Sequence, residues 1–233
     1  KRQDIGIGKR EAIKDISRLF SRYNDVIMAR LFDHQHIIEL AEYSNIPVIN
    51  GLTDYNHPCQ IICDILTIWE HKGSLDNLKI CYMGDGNNIV HSWLQLASRL
   101  PMDFVCCGPE GFEPDFDTVK MVEDSASSSF QLSHDPISAV RDADVIYTDV
   151  WASMGQKEEA TEREKVFAPY QVNKDLINNT GKETLFMHCL PAERGREVTD
   201  EVMESKNSIV FDQAENRMHA QNAIMVYLTN NLS

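Results

Sequence analysis

The sequence predicts an α/β protein with two parallel-sheet domains, of which the first is incomplete. Short runs rich in β-branched residues alternate with amphipathic helical stretches over most of the chain. A strand, a helix and a second strand follow one another near the start, and this order indicates a parallel pair. A long apolar helix at 57–73 then separates two series of elements. We expect residues 1–56 to be part of the first domain, 74–212 to be the second, and 213–233 to return to the first.

The first predicted domain has a helix followed by one strand–helix–strand unit. Residues 10–23 place apolar side chains on one helical face: Ile13, Ile16, Leu19, Phe20 and Tyr23. The run "DVIMARL" (25–31) is predicted to be a buried strand, with "IPVIN" (46–50) as its partner. Between them, "HQHIIELAEYS" (34–44) is predicted to be a helix with Asp33 as its N-cap. One such unit makes a thin sheet for an independent domain, which is why we expect the domain to be incomplete.

The second predicted domain follows the helix "HPCQIICDILTIWEHKG", in which Pro58 suits the first turn and Gly73 the C-terminal end. Its predicted strands lie near 78–83, 102–107, 129–132, 144–148, 184–187 and 208–211. A short polar link is predicted at 123–130. The stretch "ENRMHAQNAIMVYL" (215–228) is predicted to close the chain as a helix.

Composition narrows the class of function. The net charge of −14 argues against general nucleic-acid binding. No uncharged run reaches the roughly 18–20 apolar residues of a membrane span, so we expect no membrane partner. The six cysteines show no CxxC pair, and the N-terminus has no apolar signal region. We therefore expect reduced thiols in a soluble intracellular protein, in the cytoplasm or in a chloroplast or mitochondrial matrix.

The stretch "MGDGNNIVHSW" (83–93) lies between a predicted strand and a predicted helix, where open α/β sheets bind ligands. One alternative is a dinucleotide fingerprint, because Gly84 and Gly86 supply a G-x-G pair. Glu110 then lies roughly where a ribose-binding acid would fall. Ile89 occupies the third glycine position and argues against this alternative, so we predict no cofactor.

A small polar ligand with an amino group is the other possibility for this edge of the sheet. Asn87 and Asn88 are either helix caps or ligand-binding amides. Asp149 follows another predicted strand, with Ser153 and Met154 in the next loop. A carboxylate beside apolar loop residues fits an amine that carries an alkyl chain, whereas the alternative is a solvated turn capped by Asp149.

Cationic and amide donors lie at the ends of other predicted elements. Arg30 ends the first predicted strand, where an arginine seldom lacks an anionic partner. His57 and Gln60 lie one turn apart at the start of the long helix, where free backbone N–H groups favour an anion. Arg217 lies in the first turn of the last predicted helix. Each alone is more often structural, but four such donors in an acidic chain indicate an anionic ligand.

The stretch "FMHCLPAERGREV" (186–198) places Cys189 where a predicted strand stops. Its thiol could be a core filler, a metal ligand, a covalent nucleophile or a substrate-orienting group. We predict no metal site, because His34 and His36 share no helical face and His188 is adjacent to Cys189 rather than ligand-spaced. Adjacent strand residues point to opposite faces, so His188 is not expected to activate the thiol.

Five motifs occur in order and at compatible spacing: "GLTDYNHPCQ", "GDGNN", "DVWASMGQ", "HCLPAERG" and "AENRMHAQNAIM". Over essentially all 233 residues, the chain resembles the aspartate/ornithine carbamoyltransferase family. The S-M-G after Asp149 resembles the ornithine-using members, because an aspartate user would want a cation there for the second carboxylate. The resemblance implies one α/β domain for carbamoyl phosphate and one for the amino acid, in a homotrimer with active sites at subunit interfaces.

The resemblance also implies the site residues. Carbamoyl phosphate would be held by Arg30, His57, Gln60, Cys189, Leu190 and Arg217. L-Ornithine would be held by Asn88, Asp149, Ser153 and Met154. The implied catalytic residues are Arg30 and His57 at the carbonyl oxygen, and Asp149 and Cys189 at the amine. A cis Leu190–Pro191 bond that aims the Leu190 carbonyl at the substrate is a further hypothesis.

The implied reaction is transfer of the carbamoyl group from carbamoyl phosphate to the side-chain amine of L-ornithine, giving L-citrulline and phosphate. Alternatives are transfer to putrescine or acetylornithine, or a non-catalytic relative that binds an amino acid. The sequence departs from the family's pattern in two places. The Ser-Thr-Arg-Thr phosphate loop of the family is expected upstream of Lys1. Gly6 stands where relatives often have a polar residue that reaches a neighbouring subunit.

Overall fold

The computed structural model describes residues 11–152 and 160–230. Within these ranges the chain forms an α/β fold with two parallel sheets, one of two strands and one of five. The predicted fold class is confirmed. No helix in the described ranges combines the length and the apolar character that crossing a membrane requires.

The smaller sheet belongs to the N-terminal part of the chain. Its elements are α1 (Ile13–Phe20), β1 (Ile27–Arg30), α2 (His34–Glu42) and β2 (Val48–Leu52). The two strands are parallel, with Ile27 opposite Val48. The Asp33 carboxylate caps α2 as predicted, because it accepts the backbone N–H of Gln35 at 2.9 Å.

The apolar face of α1 is narrower than predicted. Ile13 and Ile16 are buried in a cluster with residues of α2, but Leu19, Phe20 and Tyr23 are exposed by 41%, 43% and 73%. The helix ends at Phe20 and packs against α2 through its first turns. The C-terminal part of the predicted face therefore projects beyond that contact.

The strand β1 is buried on one face only. Ile27 is buried and Ala29 packs against the α1–α2 cluster, whereas Met28 and Arg30 are exposed. Side chains alternate along a strand, and these two helices cover one face of the sheet. The prediction of a fully buried strand was therefore wrong.

The long helix is α3 (Pro58–Lys72). Pro58 occupies its first turn, and Gly73 forms its C-cap in the left-handed conformation (φ 74°) that favours glycine. Both predictions are confirmed. The apolar side of α3, which carries Ile61 and Ile68, packs into the core of the larger sheet.

The larger sheet and its helices form the rest of the chain up to α10. These elements are β3 (Lys79–Met83), α4 (Asn88–Ala97), β4 (Asp103–Cys107), α5 (Phe116–Ser125), β5 (Ser129–Ser133), α6 (Pro136–Ala139), β6 (Val145–Thr148), α7 (Ala160–Phe167), α8 (Lys174–Asn178), β7 (Leu185–His188) and α9 (Asp200–Met203). The five strands are parallel in the order β5-β4-β3-β6-β7 and match five of the six predicted strands. Buried clusters around Trp93 on one face and Phe186 on the other cover the sheet. The predicted polar link is limited to 126–128, between α5 and β5.

The sixth predicted strand, at 208–211, is the start of a helix. Ser208 makes a single parallel bridge with Phe186, and the Ile209 N–H donates to the Phe186 carbonyl at 3.0 Å. The helix α10 (Val210–Asn230) begins immediately afterwards and packs along α3. Ile209 and Val210 are buried where this helix begins, whereas Phe211 is 63% exposed. Periodicity over four residues cannot distinguish a strand from the start of a helix. The predicted terminal helix is confirmed, but it begins at Val210 instead of 215, so Arg217 lies beyond its first turn and that part of the prediction was wrong.

The strand order creates a crevice at one edge of the larger sheet. The chain runs outward from β3 in both directions, through β4 and β5 on one side and through β6 and β7 on the other. In such sheets ligands bind at the carboxyl ends of the strands where the order reverses. That point lies between Met83, at the end of β3, and Thr148, at the end of β6.

Candidate active site

A cleft of about 810 Å³ opens at this edge of the sheet and is bounded on its other side by the N-terminal unit. Clefts of this size hold small molecules. All eight predicted site residues that the structure describes line it: Arg30, His57, Gln60, Asn88, Asp149, Cys189, Leu190 and Arg217. Ser153, Met154 and Gly6 lie outside the described residues. The fold thus brings together residues from both ends of the chain, while their individual roles stay predictions.

The cationic side of the cleft surrounds His57, the N-cap residue of α3. Its backbone N–H donates to Ser92 Oγ at 2.7 Å, while its ring Nδ1 is buried without a hydrogen-bond partner among the described residues. Burial, then the charge of Arg217, then that of Arg30, lowers the pKa of His57 to about 4. The imidazole is therefore neutral near pH 7, and its buried Nδ1 retains an unused hydrogen-bonding position.

Asp149 lies opposite, just after β6, and is only 8% exposed. Its Oδ1 accepts the Val150 N–H at 2.8 Å, and its Oδ2 accepts from Asn87 Nδ2 at 3.2 Å. Asn87 also caps α4, because its Oδ1 accepts the Ile89 N–H at 2.9 Å. The helix-cap alternative for this residue is confirmed, and the same side chain also holds the carboxylate of the cleft; ligand binding by Asn87 stays a prediction. Asn88, the first residue of α4, lines the cleft itself.

The Cys189 sulfur, a carboxylate oxygen of Asp149 and a ring nitrogen of His188 all lie within 4.8 Å of one another. The prediction that His188 and Cys189 face apart was therefore wrong, because β7 ends at His188 and the chain then turns through Leu190 at a φ of 57°. Burial and the neighbouring Asp149 charge raise the pKa of the Cys189 thiol well above its usual range. A neutral thiol is a poor nucleophile and a poor metal ligand, so the geometry favours an orienting role.

The ring of His188 is occupied by two hydrogen bonds. Its Nδ1 accepts the Leu190 N–H at 2.9 Å, so its Nε2 carries the proton and donates to Glu197 Oε1 at 3.2 Å. His188 and Glu197 are both fully buried. A histidine–acid pair does exist beside Cys189, which sequence reasoning missed, but it holds the Leu190 turn instead of activating the thiol. The Leu190–Pro191 peptide bond is cis, as hypothesised.

Gly84 of the G-x-G pair is explained by its φ of 143°, which favours glycine, and Gly86 is explained by packing. A Cβ on Gly86 would lie 2.3 Å from the backbone nitrogen of Pro114, and the Gly86 N–H donates to the Phe112 carbonyl at 2.8 Å. Ile89 is buried. Residues 112–114 thus occupy the space beside the turn, which leaves no close backbone approach for a pyrophosphate at Gly86.

Arg163, on α7, is a further residue that sequence reasoning missed. It is 6% exposed, and its guanidinium forms an ion pair with Asp85, which lines the cleft. Its Nε donates to the Trp151 carbonyl at 2.5 Å. Its guanidinium carbon lies 4.8 Å from the centre of the Phe112 ring and 5.1 Å from that of Phe167. A lone arginine in a charged helical stretch carried no sequence signal for this role.

Two family models match the chain. Residues 76–228 match the aspartate/ornithine carbamoyltransferase Asp/Orn binding domain. Residues 1–70 match the aspartate/ornithine carbamoyltransferase carbamoyl-P binding domain.

Curated relatives match nearly the whole chain. The chloroplastic ornithine carbamoyltransferase of Pisum sativum is 60% identical over 225 residues, which is 97% of this chain and 60% of the relative. The ornithine carbamoyltransferase of Pyrococcus abyssi is 53% identical over 229 residues, which is 97% of this chain and 72% of the relative. The chain therefore spans between 60% and 72% of the length of these two relatives.

Solved structures show the same fold. The ornithine carbamoyltransferase of Pyrococcus furiosus has a TM-score of 0.93 and 51% sequence identity, and the match covers 99% of this chain and 75% of that chain. The ornithine carbamoyltransferase of Gloeobacter violaceus has a TM-score of 0.85 and 41% identity, over 95% of this chain and 75% of that chain.

Proposed function

This chain belongs to the aspartate/ornithine carbamoyltransferase family, and we propose that it transfers the carbamoyl group of carbamoyl phosphate to the side-chain amine of L-ornithine, giving L-citrulline and phosphate. One observation carries the proposal. The Asp149–Cys189 pair, the guanidinium groups of Arg30 and Arg217 and the neutral His57 ring line the same cleft. An amine and an anionic acyl phosphate can therefore meet there.

Carbamoyl phosphate fits the cationic side. The guanidinium groups of Arg30 and Arg217 complement the phosphate and the negative charge that develops on the carbonyl oxygen. The neutral His57 ring offers a hydrogen bond without adding a positive charge that would have to be desolvated. Gln60 and the Leu190 backbone carbonyl supply amide contacts for the carbamoyl group.

L-Ornithine fits the side of the cleft formed by β6 and α4. The Asp149 carboxylate, held by the Val150 N–H and Asn87, is a preorganised acceptor for an amino group. Asn88 lines the same wall. Ser153 and Met154, which the family resemblance assigns to ornithine, lie outside the described residues.

The chemistry follows from these positions. The neutral Nδ of ornithine attacks the carbonyl carbon, a tetrahedral oxyanion forms, and the bond to the phosphate oxygen breaks as the lone pair returns. The Cys189 thiol already holds its proton, because its pKa is raised, so it orients the amine and does not accept the amine's proton. The Asp149 carboxylate accepts that proton. The resemblance implied that Asp149 and Cys189 act together at the amine. In this mechanism Asp149 alone accepts the proton, and Cys189 only orients the amine.

The proposal includes two finer statements. We infer assembly as a homotrimer from the family resemblance, and sedimentation of the purified protein tests it. We infer a reducing compartment, the cytoplasm or an organelle matrix, because all six cysteines are free thiols.

The test is an assay of citrulline formation with the purified protein. Rates are compared for L-ornithine, putrescine and acetylornithine, with and without an upstream segment that carries the family's phosphate loop. We expect a strong preference for L-ornithine, and we expect Asp149→Asn to lower kcat at least a hundredfold. Faster transfer to putrescine would overturn the substrate assignment. Ornithine binding without any transfer would identify a non-catalytic relative.

A further inference from the structure

Asp64 is a buried carboxylate beneath the cleft that the proposed mechanism does not use. It lies on α3, one turn after Gln60, and its residue is 0% exposed. Its Oδ1 accepts from Gln60 Nε2 at 2.8 Å and from Gln213 Nε2 at 2.7 Å. Its Oδ2 accepts from the Tyr147 hydroxyl at 2.9 Å. All three of these donors are uncharged.

A carboxylate in this position is costly for stability. Three neutral hydrogen bonds offset only part of the free-energy cost of removing a carboxylate from water. A well-packed apolar residue at this position would make the folded protein more stable. Burial raises the pKa of Asp64 to about 7, against the hydrogen bonds of Gln60, Gln213 and Tyr147, which lower it. Such a group calls for a functional explanation.

The hydrogen bond to Gln60 determines which end of that amide is free. Both Asp64 oxygens accept hydrogen bonds, Oδ1 from the NH₂ groups of Gln60 and Gln213 and Oδ2 from Tyr147, so the NH₂ end of Gln60 points at Asp64. The amide oxygen of Gln60 is then left as an acceptor. Gln60 is among the residues that line the cleft, although it is only 1% exposed.

We infer that Asp64 is a positioning residue for the transferred group: it holds Gln60 so that the amide oxygen accepts a hydrogen bond from the NH₂ of carbamoyl phosphate. This inference rests on the proposed function. By this inference, Asp64 enables the site to select a carbamoyl group over an acyl group of the same shape, although Asp64 itself contacts no substrate.

The Asp64 carboxylate is also connected, through Tyr147 and Gln213, to the segment that carries Cys189. The Tyr147 hydroxyl donates to Asp64 Oδ2, and Tyr147 also offsets part of the rise that burial and Asp149 cause in the pKa of the Cys189 thiol. Gln213 Oε1 accepts the His188 backbone N–H at 3.0 Å, and Gln213 Nε2 also donates to the Tyr147 hydroxyl at 3.2 Å. One buried group thus connects α3, β6 and α10 to the segment that carries Cys189.

The test compares two ligands that differ in one group. Acetyl phosphate keeps the phosphate and the carbonyl of carbamoyl phosphate but has a methyl group in place of NH₂. Dissociation constants for both, and for inorganic phosphate, are measured by calorimetry on the wild type and on Asp64→Asn. An asparagine can turn either end toward Gln60, so the amide of Gln60 is no longer held in one orientation.

We expect the preference of the wild type for carbamoyl phosphate over acetyl phosphate to fall about tenfold in Asp64→Asn, the effect of one ordinary hydrogen bond. Inorganic phosphate binding should not change. Gln60→Met should show the same loss, and the double variant no further loss. The matched control is Thr67→Val. This change removes a hydrogen bond that Asn216 donates to Thr67, also between α3 and α10, and leaves the hydrogen bonds of Asp64 intact. It should retain the preference of the wild type.

A folded Asp64→Asn variant with the wild-type preference would overturn the inference. Because Gln60→Met tests the acceptor directly, an unchanged preference in that variant would overturn it as well, even if Asp64→Asn failed to fold. A wild type that binds neither carbamoyl phosphate nor acetyl phosphate would overturn the proposed function and this inference together. A wild type that transfers carbamoyl groups without preferring carbamoyl over acetyl phosphate would overturn the inference alone.

Discussion

The Cys189 sulfur lies within 4.8 Å of a carboxylate oxygen of Asp149. Each residue directly follows a strand, Asp149 after β6 and Cys189 after β7, and these strands are parallel neighbours. Parallel strands end at the same edge of a sheet, so the topology itself places a thiol beside an acid. The pair has a chemical consequence: burial and then the charge of Asp149 raise the pKa of the Cys189 thiol, so Cys189 keeps its proton.

Removing the thiol should slow turnover without unfolding the protein. We expect Cys189→Ala to lower kcat about ten- to a hundredfold, because the amine loses an orienting hydrogen bond. Cys189→Ser, which keeps a hydroxyl donor, should retain more activity. Steady-state kinetics and circular dichroism measure both effects. Unchanged kinetics in Cys189→Ala would remove this residue from the mechanism.

Alkylation of Cys189 should be slow. A raised pKa means less thiolate at any given pH, and the thiolate is the reactive form. Asp149→Asn removes one cause of the rise, so the rate with iodoacetamide near pH 8 should increase in that variant. Mass spectrometry can follow this site, because the other five cysteines are buried. A wild-type rate equal to that of the unfolded protein would contradict the expectation.

Asp64 should make stability depend on pH. Burial raises its pKa to about 7 from the ordinary 3.8, so the native state holds this proton more tightly than the unfolded chain does. Its contribution to stability is complete below about pH 4 and is lost as the pH rises through about 7. Relative to the wild type, Asp64→Asn should therefore gain stability across that window. Urea unfolding at several pH values measures the gain, and the exposed Asp124→Asn should show no such trend.

Arg163 should be essential for the packing beside the cleft. Arg163→Ala leaves the Asp85 carboxylate without its ion pair, and we expect a loss of about 3 kcal/mol in the free energy of unfolding. Arg163→Lys keeps the positive charge but lacks the guanidinium that donates to both Asp85 and Trp151. It should therefore lose less free energy of unfolding than Arg163→Ala but remain below the wild type. Arg194→Ala, which removes exposed ion pairs, serves as the control and should change little. Equal stability of Arg163→Ala and the wild type would exclude this role.

Local features were predictable because they depend on neighbouring residues in the chain. The Asp33 cap, Pro58 in the first turn of α3 and the left-handed Gly73 each follow from one residue type at one position. Five strands of the larger sheet were predictable because they are short apolar runs bounded by turns.

Predictions failed where the burial of a strand or the first residue of a helix depends on which other elements pack against that segment. Met28 belongs to an apolar run but is exposed, because the helices cover the other face of β1. The run at 208–211 has strand composition, yet Val210 begins α10. No local pattern distinguishes these cases, since the partner surface is distant in the sequence.

The sequence by itself determined that Asp149 and Cys189 stand at strand ends and that His57 and Gln60 open a helix. Only the tertiary structure decided the pairs: Asp149 with Cys189, His188 with Glu197, Asp64 with Gln60 and Tyr147, and Arg163 with Asp85. The physical reason is that backbone conformation follows from local patterns. Strand order and helix packing depend on the burial of apolar surface over the whole chain.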